Sequence, residues 1–321
     1  MAVIGYHASH EQIPPARLLA NVVHAEQAGF AAAMCSDHLE PWSRAQGHSG
    51  FAWSWLGAAL ASTRLRFGVV TCPGYRYHPT TVAHAIATLA AMFPGRLWTA
   101  LGSGENLNEH VTGRPWPPKE TRQQVLAECF AVIGDLLRGE TVNHDGAITV
   151  DRARLWDLPP QPPPLIVPAL TPETAARFAG VADGFVTVNQ PPEALRTMVS
   201  AYRDNGGTGP AVLQVHLSWA PTHDEAVAIA EQQWGTNVFD SPTMAGLATP
   251  EEFERRAREL GDELGGAVAE SVVISAEPDV HAEQLARYAG LGFDEIYLHH
   301  VGRDQERFID VFGAQVLPRL R

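Results

Sequence analysis

The feature that most constrains this chain is a recurrence of short, almost uniformly apolar runs separated by helical stretches. The runs are Val3–Ala8, Ala31–Ser36, Phe67–Cys72, Leu97–Gly102, Leu165–Leu170, Gly184–Val188, Leu213–Trp219 and Glu295–Val301. They do not alternate apolar with polar, which is how a parallel strand covered on both faces reads. Between them, Leu18, Leu19, Val22 and Val23 share a helical stripe, and so do Val125, Leu126, Cys129, Phe130, Ile133 and Leu136. The last helix carries Phe308, Ile309, Phe312 and Val316 on one face. Glycines stand where these helices stop, at Gly29, Gly180 and Gly292, and a left-handed cap there would turn the chain back toward a sheet. Eight such units in 321 residues predict a closed (β/α)8 barrel, the TIM-barrel class, rather than an open doubly wound sheet.

Two segments interrupt the repeat. Within 141–164, Asp145-Gly146 sits between Val142 and Ile148 and predicts a hairpin, followed by the extended proline-rich link Pro159–Pro164. The second, 235–263, predicts a lid or an extra helical region. Neither is long enough for an independent fold, so one domain with two insertions is expected. Lys plus Arg number 23 against 36 Asp plus Glu, a net charge of −13, with no basic cluster. That balance argues against nucleic acid or an anionic membrane surface as partner and leaves a small molecule. The apolar stretch Trp53–Ala61 is far short of a membrane span, Met1–Tyr6 lacks the features of a signal peptide, and the three cysteines are widely spaced. The expectation is a soluble cytoplasmic protein.

In a barrel of this kind the chemistry belongs at the carboxyl ends of the strands. Polar residues gather there: His7, Ser9 and His10; Ser36-Asp37-His38; Thr71-Cys72; Gly102-Ser103-Gly104-Glu105 with Asn108; Asn189-Gln190; and His299-His300. Asp37-His38 has the parts of a general base, and equally those of a loop-capping Asp beside a solvent-facing His. Gly102 and Gly104 would let a flat ligand or a phosphate approach the backbone, with Glu105 projecting as an acid, although Gly-x-Gly alone specifies only a turn. Of the aromatics in the early loops, Trp42 is the candidate because it lies close to His38. Cys72 reads as a buried structural thiol. The histidines could instead converge on a divalent metal, as in barrel hydrolases, but His7-x-x-His10 does not aim two rings inward from one strand, and no metal ligand is assigned.

Three ordered motifs carry a resemblance: Ser36-Asp37-His38-Leu39-Glu40-Pro41-Trp42, Arg76-Tyr77-His78-Pro79, and Gly102-Ser103-Gly104-Glu105-Asn106-Leu107-Asn108-Glu109. With them the chain resembles the luciferase-like flavin and deazaflavin oxidoreductases. Within that family it is similar to the branch around deazaflavin-dependent glucose-6-phosphate dehydrogenase, and to a group labelled non-F420 flavinoid oxidoreductases. The resemblance implies a barrel that binds FMN or coenzyme F420 at its mouth, usually as a homodimer, and exchanges a hydride with a small organic substrate. It implies ring contact by Asp37, proton abstraction by His38, stacking by Trp42, and an acid at Glu105 supported by Asn108. Gly102, Ser103 and Gly104 would adjoin the ring. Val69, Val70 and Thr71 occupy the position of a non-proline cis peptide that backs it.

Departures from the family bear on the ligands. No basic residue stands in Val188-Asn189-Gln190-Pro191 or Ala269–Ile274, so a sugar phosphate is not expected as substrate. After the fifth strand, Thr171-Pro172-Glu173-Thr174 replaces the glycines that hold a cofactor phosphate. Pro172 has no N–H, and Glu173 repels an anion. Thr171 and Thr174 remain as candidates there, and FMN and F420 both stay open. A monooxygenase using reduced FMN and oxygen, a metal-dependent hydrolase and a non-catalytic flavin-binding protein are the alternatives.

Overall fold

Eight parallel strands pair in sequence order and the last returns to the first. The computed structural model describes residues 2–320. Its barrel strands are Val3–Ala8, Ala32–Ser36, Arg66–Thr71, Leu97–Leu101, Leu165–Pro168, Phe185–Val188, Ala211–Ser218 and Glu295–His300, numbered first to eighth below. Every neighbouring pair is parallel, including the sixth with the seventh and the eighth with the first, so the sheet closes. The expected (β/α)8 barrel is therefore observed. A two-residue strand, Val273–Ile274, pairs with the outer end of the seventh at Leu217 and Ser218.

Side chains on the strands alternate between the barrel interior and the helical layer outside. The interior is filled by Met34, Trp98, Ala100, Ile166, Val212 and Tyr297, with Val70 against them. Two glycines make room for the large rings: a Cβ on Gly68 would lie 1.9 Å from Trp98, and one on Gly5 would lie 2.4 Å from Tyr297. A polar chain seals the floor, with Trp98 Nε1 donating to the Tyr297 hydroxyl at 3.2 Å, that hydroxyl donating to Glu295, and Glu295 paired with Arg66 at 2.9 Å.

Outside, the predicted stripes are buried. Leu18 and Val22 are fully enclosed, as are Phe308, Ile309, Phe312 and Val316. Gly29 caps its helix with φ of 101°, as expected, whereas the helix Pro278–Ala289 is capped by right-handed Gly290 and Gly292, with φ of 96°, turns the chain two residues later. Gly180 does not have positive φ, because the short helix Pro172–Phe178 ends on Ala179 in the right-handed region. The fifth strand stops at Pro168, two residues earlier than the apolar run suggests, and Leu170 turns out to solvent.

The first insertion is the antiparallel hairpin of Val142–Asp145 with Thr149–Ala153 around Asp145-Gly146. The second holds three short helices, Ser241–Gly246, Pro250–Glu259 and Gly261–Glu263. It covers the carboxyl end of the barrel. Phe253, fully buried, packs with Trp42 and Leu107 from the loops after the second and fourth strands. Arg44 binds Glu254 through three nitrogens, and Asn106 Nδ2 donates to the Gly246 carbonyl at 3.0 Å. No helix of the described residues is long and apolar enough to cross a membrane.

Candidate active site

A cavity of about 470 Å³ opens at the carboxyl ends of the second to fifth strands. Its walls include Asp37, His38, Val70, Thr71, the run Gly102–Glu105, Asn108, Thr171 and Thr174, so most of the expected site residues meet in one place. Gly104 has φ of +82°, and a Cβ there would stand 2.7 Å from Cys72 Sγ and 3.0 Å from Trp116. Both the turn and the flat wall therefore require glycine at this position.

At the centre is His38. Its Nε2 lies 3.7 Å from a carboxylate oxygen of Glu105 and 3.7 Å from one of Glu11. Its Nδ1 stands between partners of opposite kind, the Glu40 carbonyl oxygen at 3.3 Å and the Asn108 amide nitrogen at 3.2 Å. The Asn108 oxygen accepts the backbone N–H groups of Leu39 and Glu40, which turns its NH2 toward the ring. A bare Nδ1 can thus accept from Asn108, and a protonated Nδ1 can donate to Glu40. Either tautomer is supported, as suits a ring that gains and loses a proton.

The two carboxylates facing Nε2 differ sharply. Loss of solvation raises Glu105 to about 7, against the pull of His38 toward the ionised form. About a third of its side chain is exposed, and among the described residues its one charged contact is His38. Glu11 is buried, which by itself would raise it. The charge of His38, the Ser36 hydroxyl donating at 2.5 Å and the nearby His7 outweigh burial and bring Glu11 down to about 2. Ser9 donates to its other oxygen at 2.8 Å. At neutral pH one carboxylate stays ionised while the other lies near its own titration point, so the two environments are pushed apart.

Glu11 was not anticipated from the sequence. Its signal was the unbroken polar run Ser9-His10-Glu11-Gln12 after the first strand, every member of which is buried. Three other residues sit differently from expectation. Asp37 commits its carboxylate to the wall, accepting from Thr71 at 2.8 Å and Tyr77 at 3.2 Å with Arg76 at 3.6 Å. Trp42 lies behind His38, ring centroids 5.0 Å apart and tilted by 54°, with its edge against Phe253. Val69 is a correction: it is fully buried in the helical layer, because strand alternation sends Val70 inward and Val69 outward. The peptide bond between them is trans, since no cis bond occurs among the described residues.

The remaining histidines take separate positions. His7 stacks on His299 at 4.3 Å, His10 meets the edge of Trp55, and His300 stacks on Phe308. Among the described residues, no three His, Cys, Asp or Glu side chains come together in an arrangement that could hold a metal.

The luciferase-like monooxygenase family matches residues 2–295. The chain belongs to this family. Within it, the chain is 38% identical to an F420-dependent glucose-6-phosphate dehydrogenase of Beutenbergia cavernae, covering 100% of this chain and 98% of that protein. It is 37% identical to one of Microbacterium testaceum, covering 99% and 97%. Among solved structures, an F420-dependent secondary alcohol dehydrogenase in complex with an F420–acetone adduct superposes with a TM-score of 0.91 at 28% identity over 100% of both chains. An F420-dependent tetrahydromethanopterin reductase from Methanopyrus kandleri shares the luciferase-like fold, with a TM-score of 0.79 at 20% identity over 100% of this chain and 99% of that one. The protein is an oxidoreductase of the luciferase-like family.

Proposed function

We propose that this protein is a coenzyme F420-dependent dehydrogenase that oxidises an uncharged secondary alcohol to a ketone. The observation that carries the reading is the Glu11–His38–Glu105 triangle at the cavity, in a chain whose relatives are named for F420. The cavity suits a flat ring: Val70, Thr71 and the glycine-flanked Ser103 line one wall, and Gly104 leaves no room for a side chain against Cys72 and Trp116. When bound, F420 supplies an acceptor for hydride. The protein manages the proton. The alcohol O–H gives its proton to His38 Nε2 while Nδ1–H rests on the Glu40 carbonyl. Glu11, ionised throughout, stabilises the resulting imidazolium, and Asn108 keeps the His38 loop in register. Glu105, titrating near neutrality, holds a proton at the cavity and exchanges it with solvent.

Support for an uncharged substrate comes from where the cations sit. The cavity's Lys119 and Arg122 both belong to the start of the helix Lys119–Leu137. After the sixth strand, Asn189 is tied to the Ser271 carbonyl and the His216 N–H, and Gln190 to Thr187. Identity to the glucose-6-phosphate dehydrogenases favours a second reading, with glucose 6-phosphate as substrate. Anaerobic reduction of F420, followed by loss of the oxidised ring's absorbance, tests both. Turnover with 2-propanol and none with glucose 6-phosphate is expected, and the reverse would overturn the substrate class. Oxygen uptake with reduced FMN, without F420 binding, would replace the dehydrogenase with a monooxygenase.

A further inference from the structure

One wall of the cavity is the start of the helix Lys119–Leu137, where Pro118, Lys119, Arg122 and Gln123 face the space. Pro118 occupies the cap position, so no side chain satisfies the first-turn N–H groups. A 19-residue helix presents a partial positive charge at such an end. Arg122 is an independent sign. It is 8% exposed, and among the described residues no carboxylate comes within ion-pair distance of it, although Glu105 of the same cavity acts on it from further off. One Nη donates to the Gly104 carbonyl at 3.0 Å and the guanidinium lies 4.9 Å from the Trp116 ring, while the buried Nε has no acceptor. A desolvated guanidinium with an unused donor is costly unless an anion completes it.

The opposite wall cannot take that anion in the way glycine amides would. Pro172 has no N–H, and Glu173 is acidic, with Lys119 near enough to offset it. Thr171 and Thr174 contribute hydroxyls 3.2 Å apart, and Arg177 holds the Gln123 side chain at 2.8 Å.

We propose that Arg122, Lys119 and the uncapped first turn of this helix form an anion clasp for the phosphodiester arm of the bound cofactor. The inference rests on the F420 reading above and moves the phosphate contact from the fifth-strand loop to the fourth-strand side. F420 carries a phosphodiester and glutamyl carboxylates, whereas its parent deazaflavin riboside has the ring and sugar chain alone, so the pair isolates the arm. Ring fluorescence gives the dissociation constant of each for the wild-type protein, Arg122→Gln, Arg122→Lys and Lys119→Ala. Arg122→Gln is expected to weaken F420 by at least about tenfold and the riboside by less than about twofold, with Arg122→Lys intermediate. Lys119→Ala, at an exposed position that leaves the Gly104 contact intact, is expected to weaken F420 by about threefold and to flatten its salt dependence.

Equal losses for both ligands in Arg122→Gln, with no effect of Lys119→Ala, would make Arg122 a support for Gly104 and overturn the clasp. Unchanged F420 binding in both variants would do the same. Weaker glucose 6-phosphate with unchanged F420 would give the cations to the substrate instead. Failure of the wild-type protein to bind either deazaflavin would refute the cofactor reading itself.

Discussion

Acid should unfold this protein earlier than its carboxylates alone would dictate, because the fold buries neutral histidines. Burial pushes His7, His10 and His281 down to about 4, and His216 and His300 to about 3. Their unfolded value is near 6.5. Above that pH neither state is protonated and the five contribute nothing. As pH falls below it, the unfolded chain binds protons that the folded one refuses, and stability is lost until the folded values are reached. At pH 5.5 each group shifts the balance by about 1 kcal/mol or slightly more, and the five together by roughly 7 kcal/mol. Raised Glu105 works the other way and, discounted for its one-third exposure, returns about 1 kcal/mol. Glu11, held low, matters only below the ordinary carboxylate range. A net loss of about 6 kcal/mol compares with a total stability of about 5–15 kcal/mol. Acid titrations followed by tryptophan fluorescence and far-ultraviolet dichroism should therefore give a midpoint between about pH 5 and 6, with uptake of about four to five protons. His300→Phe, which keeps the stack on Phe308, should lower that uptake by one. A chain unchanged in urea midpoint from pH 7.5 to 5.5, or one unfolding without proton uptake above the carboxylate range, would refute the reasoning.

Three further outcomes follow from the site and the barrel floor. Glu105→Gln should lower kcat by about a hundredfold and remove the ionisation near pH 7 from its pH profile, with F420 affinity kept within about twofold. Unaltered kcat would take Glu105 out of the mechanism. Glu11→Gln should cost about tenfold or more in kcat, because the proton taken up at His38 loses its ionised neighbour. Unaltered kcat with a lower denaturant midpoint would leave Glu11 a purely structural role. Gly68→Ala should destabilise the barrel by about 3 kcal/mol, read as a lower denaturant midpoint, since the new Cβ would fall 1.9 Å from Trp98. No change there would mean the Trp98 ring moves freely.

The barrel was legible because strands covered on both faces need continuous apolar runs, and Phe67–Val70 or Glu295–Leu298 show this locally. The hairpin at Asp145-Gly146 was legible from turn chemistry alone. The fifth strand's end was not, since Ala169 and Leu170 remain apolar after the ladder has ceased, and Leu170 is exposed. His38, Glu105 and Asn108 announced themselves as polar residues just past strand ends. Glu11 did not, because what makes it part of the site is Ser36 and His38 at the end of the second strand, brought beside it only when the first and second strands pair. Val69 against Val70 was decidable by alternation once one inward neighbour was fixed. Arg122 was hidden for the opposite reason: on a helix rich in charge it reads as a surface residue, and only the fold shows it enclosed.

The carboxylates around His38 argue for the division of labour among them. A protein of net charge −13 gathers Asp37, Glu105 and Glu109 at one cavity with Glu11 behind His38, an arrangement that costs energy unless each is compensated. Asp37 is held by Thr71, Tyr77 and Arg76. Glu109 accepts the Arg76 N–H at 2.7 Å and faces its guanidinium at 3.8 Å. Glu11 is held by Ser9 and Ser36. Asp37 and Glu109 are fixed by neighbours that stay in place, and Glu11 is tied by two hydroxyls although it too faces His38 at 3.7 Å. Glu105 lacks the hydroxyl donors that hold Glu11 and has a partly open side chain 3.7 Å from His38, so its compensation leans more heavily on that ring. A proton arriving at His38 favours the ionised form of Glu105, and its departure favours the neutral one. In the proposed mechanism this coupling would let Glu105 pass the substrate's proton on, with Glu11 as the ionised neighbour of His38 and Asp37 and Glu109 holding the walls.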